Sequence, residues 1–170
     1  GELQYYGTDI YMAISEEPAE RMFNGYDKTF NSTAPIVGDY WKVLYKIVQE
    51  SNILLNRCTP DIAGNDYTSL TAQARFFRAM AYYYLVETFG PVPLLTEENT
   101  SVIQQAERTG EQAIYTFIIT ELNDIKDKLD MTTISAGKVT NAAVIHFLGK
   151  MYLTRAYKSF AETDDFSNAA

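Results

Sequence analysis

Four separate segments of this chain place apolar residues at intervals of three and four, and no stretch alternates convincingly with a strand's period of two. One-sided helices must bury their stripes against each other, so the expected fold is all-α. The first segment, Asp39 to Arg57, carries Trp41, Leu44, Tyr45, Val48 and Leu55, broadened by Ile47 and Leu54. Asn52 falls on that stripe; a buried amide needs partners, so it is expected to bond neighbouring backbone. The second segment, about Ser69–Phe89, marks a face with Leu70, Ala74, Phe77, Ala81, Tyr84 and Thr88, with Met80 and Leu85 beside it. Gly90-Pro91 ends it, since glycine suits a left-handed C-cap and proline cannot continue the helix. In the third, Thr109 is the expected N-cap with Gln112 at capping-box spacing. Ile114, Ile118, Leu122, Ile125 and Leu129 then form the stripe, with Asp124 and Lys128 an outward i,i+4 pair. Thr140 caps the fourth, whose face is Val144, Phe147, Leu148, Met151, Tyr152 and Arg155.

These segments pair as two helical hairpins, 39–89 and 108–160, with a further helix starting near Phe166. Their spacing far exceeds the 34-residue tetratricopeptide period, so the expected architecture is tetratricopeptide-like stacked hairpins without sequence repetition. Residues 1–38 show no sustained period and are expected to form an irregular N-terminal segment ahead of a helical domain over 39–170. Within the loop Pro91–Glu107, the apolar run Val92-Pro93-Leu94-Leu95 is expected to lie extended against the helices. The opening Gly1-Glu2-Leu3 and the closing DDFSNAA read as cuts, which suggests a fragment of a longer protein.

Composition narrows function by exclusion. Fourteen Lys and Arg against 22 Asp and Glu leave a net charge of −8 and no basic cluster, which argues against nucleic acid as a partner. A neutral carbohydrate or another protein stays compatible. The single cysteine, Cys58, permits neither an internal disulfide nor a cysteine zinc site. His146 is the only histidine and has no nucleophile or metal-ligand spacing around it, so no catalytic residue, metal or cofactor is expected. Glu16-Glu17, Glu97-Glu98 and Asp164-Asp165 are sequence neighbours that do not converge and read as solvated surface. Arg75 and Arg78 lean the same way from an apolar helix; the favoured reading is that they pin it to its partners or to the Gly90–Leu95 loop.

The order of residues in Ala74–Leu95, ARFFRAMAYYYLVETFGPVPLL, resembles the signature helix of the SusD/RagB family. Trp41, Tyr45, Val48 and Asn52 match the spacing of the family's first helix. Ala113–Leu129 and the run Gly137-Lys138-Val139-Thr140 through Leu153 resemble its next two motifs, so four motifs in order cover about Trp41–Tyr157. Gln73, Glu121, Asn123, Lys126 and Lys138 depart from the usual family residues, but as exchanges among polar helix residues. Family chains are several times longer, and much of their ligand face comes from later segments.

The resemblance implies a SusD-like α-α superhelix whose structural signature is Trp41, Tyr45, Asn52, Arg75, Arg78, Gly90 and Pro93. It implies a lipid-anchored protein of the outer-membrane surface in Bacteroidetes, its anchor and signal peptide outside this chain. Such a protein captures oligosaccharides or other nutrients, without catalysis, for a SusC-type TonB-dependent transporter. Ligand contact would involve loops ahead of the first helix, where Asp9, Tyr11, Phe23 and Tyr26 offer rings to stack on sugars and polar atoms for hydroxyls. The alternative from another class is an intracellular helical adaptor that binds only proteins.

Overall fold

The computed structural model describes residue 31 and residues 34–101, 105–130 and 137–170. The chain divides into two compact units, Gly1–Val43 and Leu44–Ala170; the packing set out below belongs to the second. The helices are α1 (Pro35–Arg57), α2 (Pro60–Ala63), α3 (Tyr67–Phe89), α4 (Glu111–Ile125), α5 (Asn141–Ala156) and α6 (Asp165–Asn168), with a 3-10 turn at Gly64–Asp66. The described residues contain no strand, only an isolated antiparallel bridge between Val92 and Thr109. The fold is all-α and tetratricopeptide-like, as the periodicity implies.

α1 begins at Pro35, ahead of Asp39, because proline's fixed φ and missing N–H suit a first turn. Leu44 and Val48 of its expected stripe are buried, together with Ser51 and Asn52. The Ser51 hydroxyl donates to the Ile47 carbonyl at 2.8 Å, which lets it sit inside.

α3 departs from the one-face expectation. Its buried residues form two rows, Ala72, Phe76, Ala79, Tyr83 and Val86 on one and Ala74, Arg78, Ala81, Tyr82 and Leu85 on the other. Phe76 and Tyr83 each set a ring against Phe147 of α5 at 5.6 Å between centroids, while Tyr82 meets Phe117 of α4 edge-on at 5.6 Å. Leu70 and Phe77, expected inside, are 38% and 37% exposed. A helix covered from two directions has no single stripe, so its row of large residues at helical spacing misidentifies the inner side.

The pairs Glu87 with Tyr115, Arg78 with Glu121 and Arg75 with Asp124 run in opposite senses along α3 and α4, which are therefore antiparallel neighbours. Asn123 to Tyr152 and Lys126 to Asn141 set α4 and α5 antiparallel in the same way. Ile114, Ile118, Leu122 and Ile125 of α4 are fully buried, and Leu129 beyond its end nearly so. α4 opens differently from expectation. Its N-cap is Gly110, with no side-chain cap bond; Thr109, one residue earlier, bridges to Val92, its N–H donating to the Val92 carbonyl at 2.9 Å. Asp124 turns to Arg75 at 2.7 Å, and Lys128 acts on it only as a more distant charge. Thr140 does cap α5, its hydroxyl accepting from the Ala143 N–H at 3.3 Å. Of the expected α5 face, Val144, Phe147, Leu148, Met151 and Arg155 are buried.

α6 is docked by charge. The Arg155 guanidinium donates to Asp165 at 2.6 and 2.9 Å and to Glu162 at 2.6 and 2.9 Å. The Asp165 side chain is fully buried, which corrects its reading as solvated surface; Asp164 beside it remains exposed. The buried carboxylate persists because Arg155 and the Glu162 N–H, at 2.8 Å, supply what water otherwise would.

Candidate functional site

Among the described residues, the densest polar constellation joins α1, α3, α4 and the loop after Gly90. Gly90 closes α3 with φ +67°, a conformation L side chains rarely adopt, while its N–H reaches the Val86 carbonyl at 3.0 Å. The chain then runs past α1, where Tyr45, Gln49, Asn52, Asn56 and Arg57 recur on one side at helical spacing. The Tyr45 hydroxyl donates to the Pro93 carbonyl at 2.7 Å. Asn52 Nδ2 donates to the Leu95 and Glu97 carbonyls at 3.0 and 2.9 Å, as the buried-amide argument anticipates. Gln49 Nε2 reaches the Asn99 carbonyl at 3.0 Å, and Asn56 Nδ2 the Glu98 carboxylate at 2.8 Å. From α3, Tyr82 both donates to the Leu95 carbonyl at 2.9 Å and accepts from its N–H at 2.6 Å. An extended loop lacks a ladder for its backbone polar groups; here side chains satisfy several of them, most of them carbonyls.

Asn52 also faces inward. Its Oδ1 accepts from Arg78 Nη1 at 2.8 Å, and the same nitrogen reaches the Thr96 carbonyl at 3.1 Å. Arg78, 6% exposed, donates through Nε and Nη2 to Glu121 Oε2 at 3.1 and 2.6 Å, beneath the ring of Phe117. Arg75 takes the other Glu121 oxygen at 2.9 and 2.7 Å and adds Asp124 at 2.7 Å. The two arginines therefore tie α3 to α4, and Arg78 also holds the loop, in line with an architectural role. Burial pushes the Tyr82 hydroxyl up to about 12 and raises Tyr45 as well. Both stay protonated and able to donate.

Between α1 and the loop lies a cleft of about 360 Å³ lined by Asn52, Leu55, Asn56, Thr96, Glu97 and Glu98. Glu98, expected to be solvated, is held by Arg57 and Asn56, and the Arg57 fork draws its carboxyl below the usual range. A carboxylate so held is a poor proton donor near neutral pH. His146 is exposed on α5, and no group of three His, Cys, Asp or Glu among the described residues is placed to hold a metal.

Of the signature residues, Tyr45, Asn52, Arg78, Gly90 and Pro93 come together here; Arg75 joins through Glu121, and Trp41 lies half-buried earlier on α1. Asp9, Tyr11, Phe23 and Tyr26 lie outside the described residues. Sequence reasoning missed Gln49, Asn56, Tyr82 and Glu121 as partners. The run of Tyr and amide side chains at 45, 49, 52 and 56, one per turn, was the available signal.

A SusD-like family model, described as starch-binding and associating with the outer membrane, matches residues 2–153. A SusD-like protein of Bacteroides ovatus is 31% identical over 122 residues, covering 68% of this chain and 22% of its own length. A crystal structure with a xylogluco-oligosaccharide superposes with TM-score 0.76 at 25% identity, over 90% of this chain and 31% of that one. A laminarin-binding SusD-like protein superposes with TM-score 0.73 at 29% identity, over 85% and 32%. The chain thus spans only 22% to 32% of the length of these relatives.

Proposed function

The chain belongs to the SusD-like family, and from that premise we infer that it is the scaffold-bearing part of a longer surface protein that captures oligosaccharides. The observation that carries this reading is the family match over 2–153, reinforced by two structural neighbours, one with a xylogluco-oligosaccharide and one laminarin-binding. Residues 39–170 supply the rigid helical support, and residues 1–38 supply ligand contacts, with Asp9, Tyr11, Phe23 and Tyr26 as the contacting side chains. Capture is an equilibrium: rings stack on sugar faces, polar groups bond hydroxyls, and no covalent bond changes. The intact protein is lipid-anchored at the outer-membrane surface and hands its ligand to a SusC-type TonB-dependent transporter.

Titration calorimetry of the full-length protein with laminari- and xylogluco-oligosaccharides tests the reading. Saturable binding with the sugar recovered unchanged supports it. Failure of every oligosaccharide, with peptides binding instead, overturns the ligand class, and released shorter sugars overturn the absence of catalysis. Unchanged affinity after alanine replacement of Tyr11 and Tyr26 overturns the placement of the contacts.

A further inference from the structure

The cleft between α1 and the loop has an uneven balance of hydrogen-bonding groups. Its side-chain amide donors are already engaged: Asn52 Nδ2 on the Leu95 and Glu97 carbonyls, and Asn56 Nδ2 on Glu98, which Arg57 also holds. Among the lining side chains, the polar groups left over are mainly acceptors. Among the described residues no hydrogen bond reaches the Glu97 carboxylate, the Thr96 hydroxyl or Asn56 Oδ1, while half-buried Leu55 adds an apolar wall. The lining backbone is fixed by the bonds from α1 and α3, so a ligand entering it imposes little further ordering.

We propose that this cleft, apart from the N-terminal contacts, is a second binding subsite for the hydroxyl groups of a neutral sugar. Sugar hydroxyls can donate to these side-chain acceptors, and a sugar's C–H face can rest on Leu55. Glu98 is already paired with Arg57, so of the two lining carboxylates only Glu97 is without a partner among the described residues. The subsite deepens the glycan-capture reading and rests on it.

Full-length protein carrying isotope-labelled leucine methyls provides a local readout, titrated with the same laminari- and xylogluco-oligosaccharides while calorimetry follows the principal site. The Leu55 methyl signals should shift saturably. Glu97→Ala and Asn56→Leu should each weaken that response about fivefold or more, as expected for a lost hydrogen bond, leaving the principal affinity unchanged. Principal binding with a motionless Leu55 signal, or with a response indifferent to both substitutions, overturns the subsite and leaves glycan capture standing. A Leu55 response to trilysine but not to sugar overturns the ligand chemistry. Absence of all sugar binding overturns both readings together.

Discussion

Glu121 is 6% exposed and receives four hydrogen bonds from two guanidinium groups. Taking such a group from water costs several kcal/mol, and only well-aimed donors offset it. Burial alone would lower the Arg75 pKa; the bonds from Glu121 and Asp124 outweigh it and raise the value. Removing the acceptor while leaving the cations is therefore the damaging change. Glu121→Ala should destabilise the fold by about 3–5 kcal/mol in denaturant unfolding. Adding Arg78→Met to that variant should recover much of the loss, because the buried unpaired charge then disappears. A double variant no more stable than the single one would show that Arg78 matters for its hold on Asn52 and Thr96, not for its charge. The sequence made both arginines visible as structural, but their acceptor was hidden. Glu121 lies more than forty residues away and only the α3–α4 register brings it under them.

Gly90 separates two regimes of chain, a helix that satisfies its own backbone and a loop that depends on α1. A Cβ there would sit 3.6 Å from the Glu111 carboxylate, an ordinary contact, so the obstacle to a side chain is the φ of +67°. Gly90→Ala should cost about 1–3 kcal/mol of stability, read by thermal or denaturant melting. Gly38, inside α1 with open space around its Cβ position, should go the other way: Gly38→Ala should gain up to about 1 kcal/mol. The contrast isolates conformation from crowding, and equal effects at both positions would defeat it. Elements with one covered side were legible from period alone, as α4 and α5 show. α3 was legible as a helix but not by its inner face, because two sets of neighbours cover it.

Over the whole molecule, ionisation brackets the stable range. Burial by itself would raise the Asp165 pKa, but the Arg155 fork and the Glu162 N–H hold it below the ordinary 3.8. Arg75 lowers Asp124 likewise, through a direct hydrogen bond. A depressed carboxylate favours the folded state at neutral pH, and that contribution fades as pH falls from about 3.8 through the lower folded values. At the alkaline end Tyr82 is raised from 10.0 to about 12, so the folded form resists ionisation that the unfolded chain undergoes. That contribution is full below pH 10 and lost as pH rises through about 12. Denaturant midpoints measured across pH should hold a plateau between these limits and fall outside them. Asp165→Asn should lower the plateau and flatten the acid limb, and Tyr82→Phe should flatten the alkaline one. Limbs unchanged by these substitutions would assign the transitions to other groups.

Apolar spacing and end signals by themselves determined that this chain is helical, where α1 and α3 stop, how α5 is capped and which sides of α4 and α5 turn inward. They do so because each depends on residues within a few turns of one another. The motif order likewise carried the family. Tertiary structure decided the rest: that α3 is covered twice, that Thr109 bridges to Val92 instead of capping α4, that Asp165 is buried, and that a row of α1 side chains holds a loop forty or more residues away. Those outcomes rest on pairing between distant groups, and local sequence carries no record of which donor will meet which acceptor.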